Sequence, residues 1–80
     1  MAAVKIVHIA LYTIEKVNSF VHDMDSVEGE AAIYSGRYYV DAKSVMGIFT
    51  LDLSKTLELR IGDWKGEYAA LLQKYMPVSG

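Results

Sequence analysis

The chain of 80 residues has no cysteine, so no disulfide can staple a core this small. That absence fits a reducing compartment. Nor is there an apolar run approaching the roughly 20 residues that span a bilayer. Met1 to Lys5 has no basic segment followed by a long apolar stretch, which speaks against a signal peptide. Charge is also sparse: 8 Lys and Arg against 10 Asp and Glu leave a net charge of −2, and the cations are scattered. A nucleic-acid partner needs a basic groove, and none is implied. No repeat, low-complexity tract or linker divides the chain. These exclusions leave one small soluble domain over 1–80, expected in the cytoplasm, with residues 77–80 as a loose tail.

The patterns that are present give an order of elements. Val4 to Ala10 is short and β-branched, as a strand is. Ile14, Val17, Val21 and Met24 recur at helical spacing with Phe20 beside them, while Glu15, Lys16, Asn18, Ser19 and Asp23 face outward. Asp23 and Asp25 would oppose the dipole at the C-terminal end, so fraying is expected there. Ala31–Tyr34 and Arg37–Val40 form a hairpin, linked by Ser35-Gly36. Thr56 to Ile61 alternates, with Leu57, Leu59 and Ile61 on one face and Glu58 and Arg60 on the other. Asp63 is a candidate cap for a last helix carrying Trp64, Tyr68, Leu71, Leu72, Tyr75 and Met76, which Pro77 ends. The order β-α-β-β-α-β-α predicts an α+β fold: a four-stranded antiparallel sheet with helices on one face and water on the other.

One stretch fits none of these regular patterns. In Asp41-Ala42-Lys43-Ser44-Val45-Met46-Gly47-Ile48-Phe49-Thr50-Leu51, Ser44 can cap a short helix. Gly47 weakens that helix but permits close approach to its backbone. Val45, Met46, Phe49 and Leu51 then crowd one short turn. They can hold the turn down or present a protein-docking patch, with Met46 the foremost exposed candidate. Ser44 likewise can be a plain cap or a phosphorylation switch.

The segment AKSVMGIFTLDL resembles the stretch around the regulatory serine of the HPr family, phosphocarriers of the bacterial sugar phosphotransferase system. There a Lys-Ser-(Ile/Leu/Val)-Met-Gly-x-(Met/Phe)-x-Leu run forms the short middle helix. The resemblance implies an open-faced β-sandwich and Ser44 as target of a dedicated kinase. Aligned without gaps, it also puts Thr13 at the family's phosphohistidine, Glu15 at its arginine and Lys16 at its proline. A threonine hydroxyl forms a stable phosphate ester, and Glu15 repels a phosphoryl group, so the carrier chemistry is absent or moved. The expectation is therefore a regulatory or adaptor protein without catalytic residues, cofactor or metal; the alternatives are a phosphocarrier using a relocated histidine, His8, and an orphan protein-interaction domain that kept the fold. The implied partners are other proteins, such as a serine kinase or a transcriptional regulator of sugar use. In the family that regulator's interface also uses the arginine, which Glu15 replaces.

Other candidates have plainer readings beside the functional ones. His8 could serve as a relocated phosphoacceptor, but strand alternation groups it with Val4 and Ile6, pointing toward the core or its edge. His22 lies near Asp23 and Asp25 without any recognised metal-ligand spacing. Tyr34, Arg37, Tyr38 and Tyr39 could stack bases, yet sheet packing accounts for them.

Overall fold

A computed structural model describes residues 4–77 of the chain. Its elements are β1 (Lys5–Ile9), α1 (Ile14–Met24), β2 (Ala31–Ser35), β3 (Tyr38–Asp41), α2 (Val45–Ile48), β4 (Leu57–Ile61) and α3 (Glu67–Leu72). A single 3-10 turn, Gln73–Tyr75, extends α3. Of the tail expected at 77–80, residues 78–80 lie outside the described residues.

The four strands form one sheet in the order β1-β4-β2-β3, with every neighbouring pair antiparallel. β4, the last strand in sequence, fills the slot that β1, α1 and β2 leave open. Its alternation decides the face: Leu57, Leu59 and Ile61 are buried, while Arg60 is exposed and Glu58 half-buried. Val7 and Ile9 of β1 and Ala31 and Ile33 of β2 join them on the core side. α1 adds Val17, Phe20 and Met24, α2 adds Ile48, and the C-terminal segment adds Tyr68, Leu72 and Tyr75. All three helices thus feed one apolar layer against one face of the sheet. No helix among the described residues is long and apolar enough to cross a membrane.

Several expectations need correction. His8 does not point toward the core: Val7 and Ile9 take that side, leaving Val4, Ile6 and His8 exposed. A strand has period two, so choosing the wrong set exchanges every side chain between the faces. Ile14 is 64% exposed. At about 100° per residue, Val17, Phe20 and Met24 fall within an arc of roughly 60°, and Ile14 stands about 90° from its centre. The hairpin link is Gly36-Arg37, because Ser35 pairs with Tyr38. Gly36 has φ 63° and Arg37 a negative φ, as in a type II′ turn. Asp63 does not cap α3, whose N-cap position is Gly66, with no side-chain hydrogen bond.

The acidic end of α1 is fastened rather than frayed. The Asp23 carboxylate accepts from the Tyr75 hydroxyl at 2.5 Å and pairs with Lys74 Nζ at 2.8 Å. With its proton given to Asp23, Tyr75 accepts from the Ser19 hydroxyl at 2.7 Å. The Tyr75 ring meets Phe20 edge-on at 5.3 Å, and Ala10 N–H donates to the Tyr75 carbonyl. This cluster ties the C-terminal turn to α1 and to the exit of β1. Lys74, then Tyr75, hold the Asp23 carboxyl below its ordinary range. Burial, followed by the neighbouring carboxylate, pushes the Tyr75 hydroxyl up.

The sign of the resulting pH dependence is fixed, because Asp23 binds its proton less readily in the folded chain than in the unfolded one. Its contribution is present above the unfolded value, near 3.8, and is lost as pH falls through the depressed folded value. Urea unfolding of Asp23→Asn beside the parent should show a deficit at pH 7 that shrinks progressively in acid. A deficit that did not change between pH 7 and pH 2 would contradict the assignment.

Candidate functional site

The chain leaves β3 at Asp41 and turns immediately, because the Asp41 side chain accepts from Lys43 N–H at 2.9 Å and its carbonyl from Ser44 N–H at 3.1 Å. Lys43 reaches across to the Val27 carbonyl at 2.6 Å, fastening this turn to the loop after α1. Ser44 then sits in extended backbone conformation at the head of α2, and its hydroxyl accepts from Gly47 N–H at 3.1 Å. This is the N-cap geometry expected for Ser44. It satisfies one of the backbone donors that every helix start leaves open.

Gly47 is fixed by space. A Cβ there would lie 3.2 Å from Val40 Cβ and 3.3 Å from Ser44 Oγ. The missing side chain therefore lets α2 lie against β3 while the cap closes. Thr50 ends the element by donating its hydroxyl to the Gly47 carbonyl at 2.6 Å. Ile48 and Leu51 enter the core, so the turn is held down by these two residues. Leu51 is 8% exposed and leaves the set of docking candidates. Val45 is half-buried, Phe49 is 43% exposed and Met46 is 81% exposed. The surface of α2 consequently consists of Met46 and Phe49, with Val45 at its border and the half-buried Ser44 beside them.

At the head of α1, Thr13 is also an N-cap, its hydroxyl accepting from Lys16 N–H at 3.1 Å. Glu15 occupies the first turn, where its negative charge suits the positive end of the helix. An anion approaching this helix start would therefore meet a like charge. Lys16 is drawn away toward the Lys74 carbonyl at 3.4 Å. Tyr12 and Ile14, 60% and 64% exposed, flank Thr13 as apolar surface that sequence reasoning did not assign. The weak signal for Ile14 was its position at the border of the α1 stripe; Tyr12, in a loop, had none.

His8 lies on the helix-free face of the sheet, opposite Glu58 in the β1–β4 register. Glu58 is held by Arg60 at 2.7 Å, and Arg60 stacks over Tyr34 at 4.0 Å. Tyr34 in turn stacks on Tyr39 at 5.2 Å. Tyr34, Tyr39 and Arg60, with Ala32, border a shallow groove of about 610 Å³. His22, Asp23 and Asp25 do not converge: among the described residues no group of three or more His, Asp or Glu could hold a metal ion.

A scan against protein-family models finds no matching family, and neither the curated proteins nor the solved structures yield a significant match.

Removing the cap measures what it contributes. Ser44→Ala should cost about 1 kcal/mol in urea unfolding. Gly47→Ala should fail to gain the roughly 1 kcal/mol that alanine normally brings to a helix, since its methyl must displace Val40 or the capping hydroxyl. A clear stabilisation by Gly47→Ala would show that the close approach is not a constraint.

Proposed function

We propose that this chain is an HPr-like protein without the phosphohistidine, acting as a regulatory or adaptor module through Ser44 and the surface of α2. The observation that carries the reading is the juxtaposition in α2: a capping serine beside a methionine that is 81% exposed. A short helix pinned by Ile48 and Leu51 has no packing use for Met46. An unbranched thioether on a fixed turn suits a partner's apolar pocket.

Phosphorylation of Ser44 would add about −1.5 to −2 charge at the start of α2, where the first backbone N–H groups lack intrahelical acceptors and can donate to it. The core residues beneath would stay in place while the surface around Met46 changed charge. Partners are other proteins: a serine kinase that writes the mark, and a regulator or enzyme that reads it. The chemistry at Thr13 and Glu15 supports the loss of the carrier activity. A capping hydroxyl makes a stable ester, and an acidic first turn repels phosphate.

A phosphocarrier using His8 is the weaker reading. His8 stands opposite Glu58, a carboxylate that opposes a phosphoryl group, and on the face of the sheet away from α1 and α2.

Intact mass after two parallel incubations separates these readings. The expected result is an acid-stable gain of one phosphate with the family's serine kinase and ATP, lost in Ser44→Ala. An acid-labile gain with the phosphotransferase system's first enzyme and phosphoenolpyruvate, lost in His8→Ala, would overturn it. For the docking surface, Met46→Asp should leave unfolding by urea within about 0.5 kcal/mol of the parent, as exposed substitutions do. It should also abolish capture of whichever partner the phosphorylated parent retains.

A further inference from the structure

β3 is the outer strand of the sheet, with Tyr38 and Tyr39 55% and 64% exposed. Its hydrogen-bond parity can be read from the hairpin. Ala42 N–H donates to the Ala31 carbonyl, and the antiparallel register pairs Ile33 with Val40 and Ser35 with Tyr38. Bonded and non-bonded pairs alternate along such a ladder. Tyr38, Val40 and Ala42 therefore turn their backbone groups toward β2, while both backbone groups of Tyr39 and the N–H of Asp41 turn outward; the Asp41 carbonyl is already engaged by Ser44 N–H at 3.1 Å. The strand contains neither proline nor lysine, the devices that usually blunt an edge. Arg37, at the start of that edge, makes no ion pair among the described residues. Asp41 uses one carboxylate oxygen for Lys43 N–H and makes no ion pair among the described residues.

We propose that β3 pairs antiparallel with β3 of a second copy of this chain, about a two-fold axis at Tyr39. Parity makes outward-facing residues meet outward-facing ones and inward-facing residues meet inward-facing ones, which allows an axis at Tyr38, Tyr39 or Val40. An axis at Tyr38 sets Arg37 against Tyr39 and gives it no carboxylate. An axis at Val40 sets Arg37 against Lys43 of the other copy and Tyr39 against Asp41, a like-charge clash and an unmatched pair. With Tyr39 on the axis, Arg37 faces Asp41 of the second copy in both halves of the contact. Tyr39 then faces its own counterpart, and Tyr38 faces Val40 on the opposite side of the sheet. Opposite charges, paired aromatics and an apolar pair each stabilise a cross-strand contact. The Tyr34–Tyr39 stack would continue across the axis, and two sheets would become one. A strand that is its own complement makes a closed contact, which limits growth into fibres. This interface is independent of Ser44 and α2.

Sedimentation of the full chain between roughly 10 µM and 1 mM tests it. The mass should rise from 8.9 kDa toward twice that value with concentration. Arg37→Asp, in an exposed turn, should weaken association about ten-fold or more by setting a carboxylate against Asp41 in each half of the contact. Arg37→Asp with Asp41→Arg should recover it. Amide exchange of the parent supplies a reading that needs no variant: Tyr39 and Asp41 should slow as concentration rises, while Val40 should not change. A monomer throughout the range, or a dimer indifferent to Arg37→Asp with Tyr39 exchange independent of concentration, would overturn the proposal.

Discussion

The insertion of β4 between β1 and β2 is the constraint on which the other elements depend. β1 and β2 run parallel and have no direct pairing, so only β4 joins the two halves of the sheet. Its three core residues set which face the helices cover, and that choice fixes the outward side for every other strand. The assignment then propagates. Arg60 faces away from the core and stacks on Tyr34, His8 is left opposite Glu58, and β3 is left at the border with the backbone groups of Tyr39 turned outward. α2 follows directly, since it begins where β3 ends and lies against Val40.

Close approach does for α2 what length does for a longer helix. An element of four residues cannot sustain itself, because nucleation costs as much there as in a long helix. It survives here because Ser44 closes one end, Ile48 and Leu51 fill the core below, and Gly47 gives up its side chain to Val40. Those demands leave Met46 and Phe49 as the exposed apolar side chains of the turn. The apolar surface that remains has no structural duty, and for that reason the proposed docking function falls on those two side chains.

What could be foreseen follows from the range of each signal. Alternation in Leu57–Ile61, the stripe in α1 and the cap at Ser44 are local, and the element order was legible from them. The hairpin's glycine was legible as well, though not which residue pair closed the turn. The face of β1 was not: Val4, Ile6 and His8 alternate with Val7 and Ile9, and only pairing with β4 selects between them. Nor was the fastening of α1, since Asp23 and Tyr75 lie 52 positions apart in the chain. An acidic helix end looks unstable until its partners from the C-terminal turn are in place. At α2 the crowding of apolar residues was evident, but which ones turn inward depends on where the core lies beneath them.

The proposed switch requires that Ser44 carry charge on a turn whose packing stays unchanged. The most direct measurement is a backbone amide NMR spectrum of the chain phosphorylated at Ser44, compared with the unmodified chain. Large shifts are expected for residues 44 to 49, with near-identity for Leu57, Leu59, Ile61 and the Asp23–Tyr75 contact. Collapse of dispersion throughout the core, or a chain that no kinase can modify at Ser44, would contradict it.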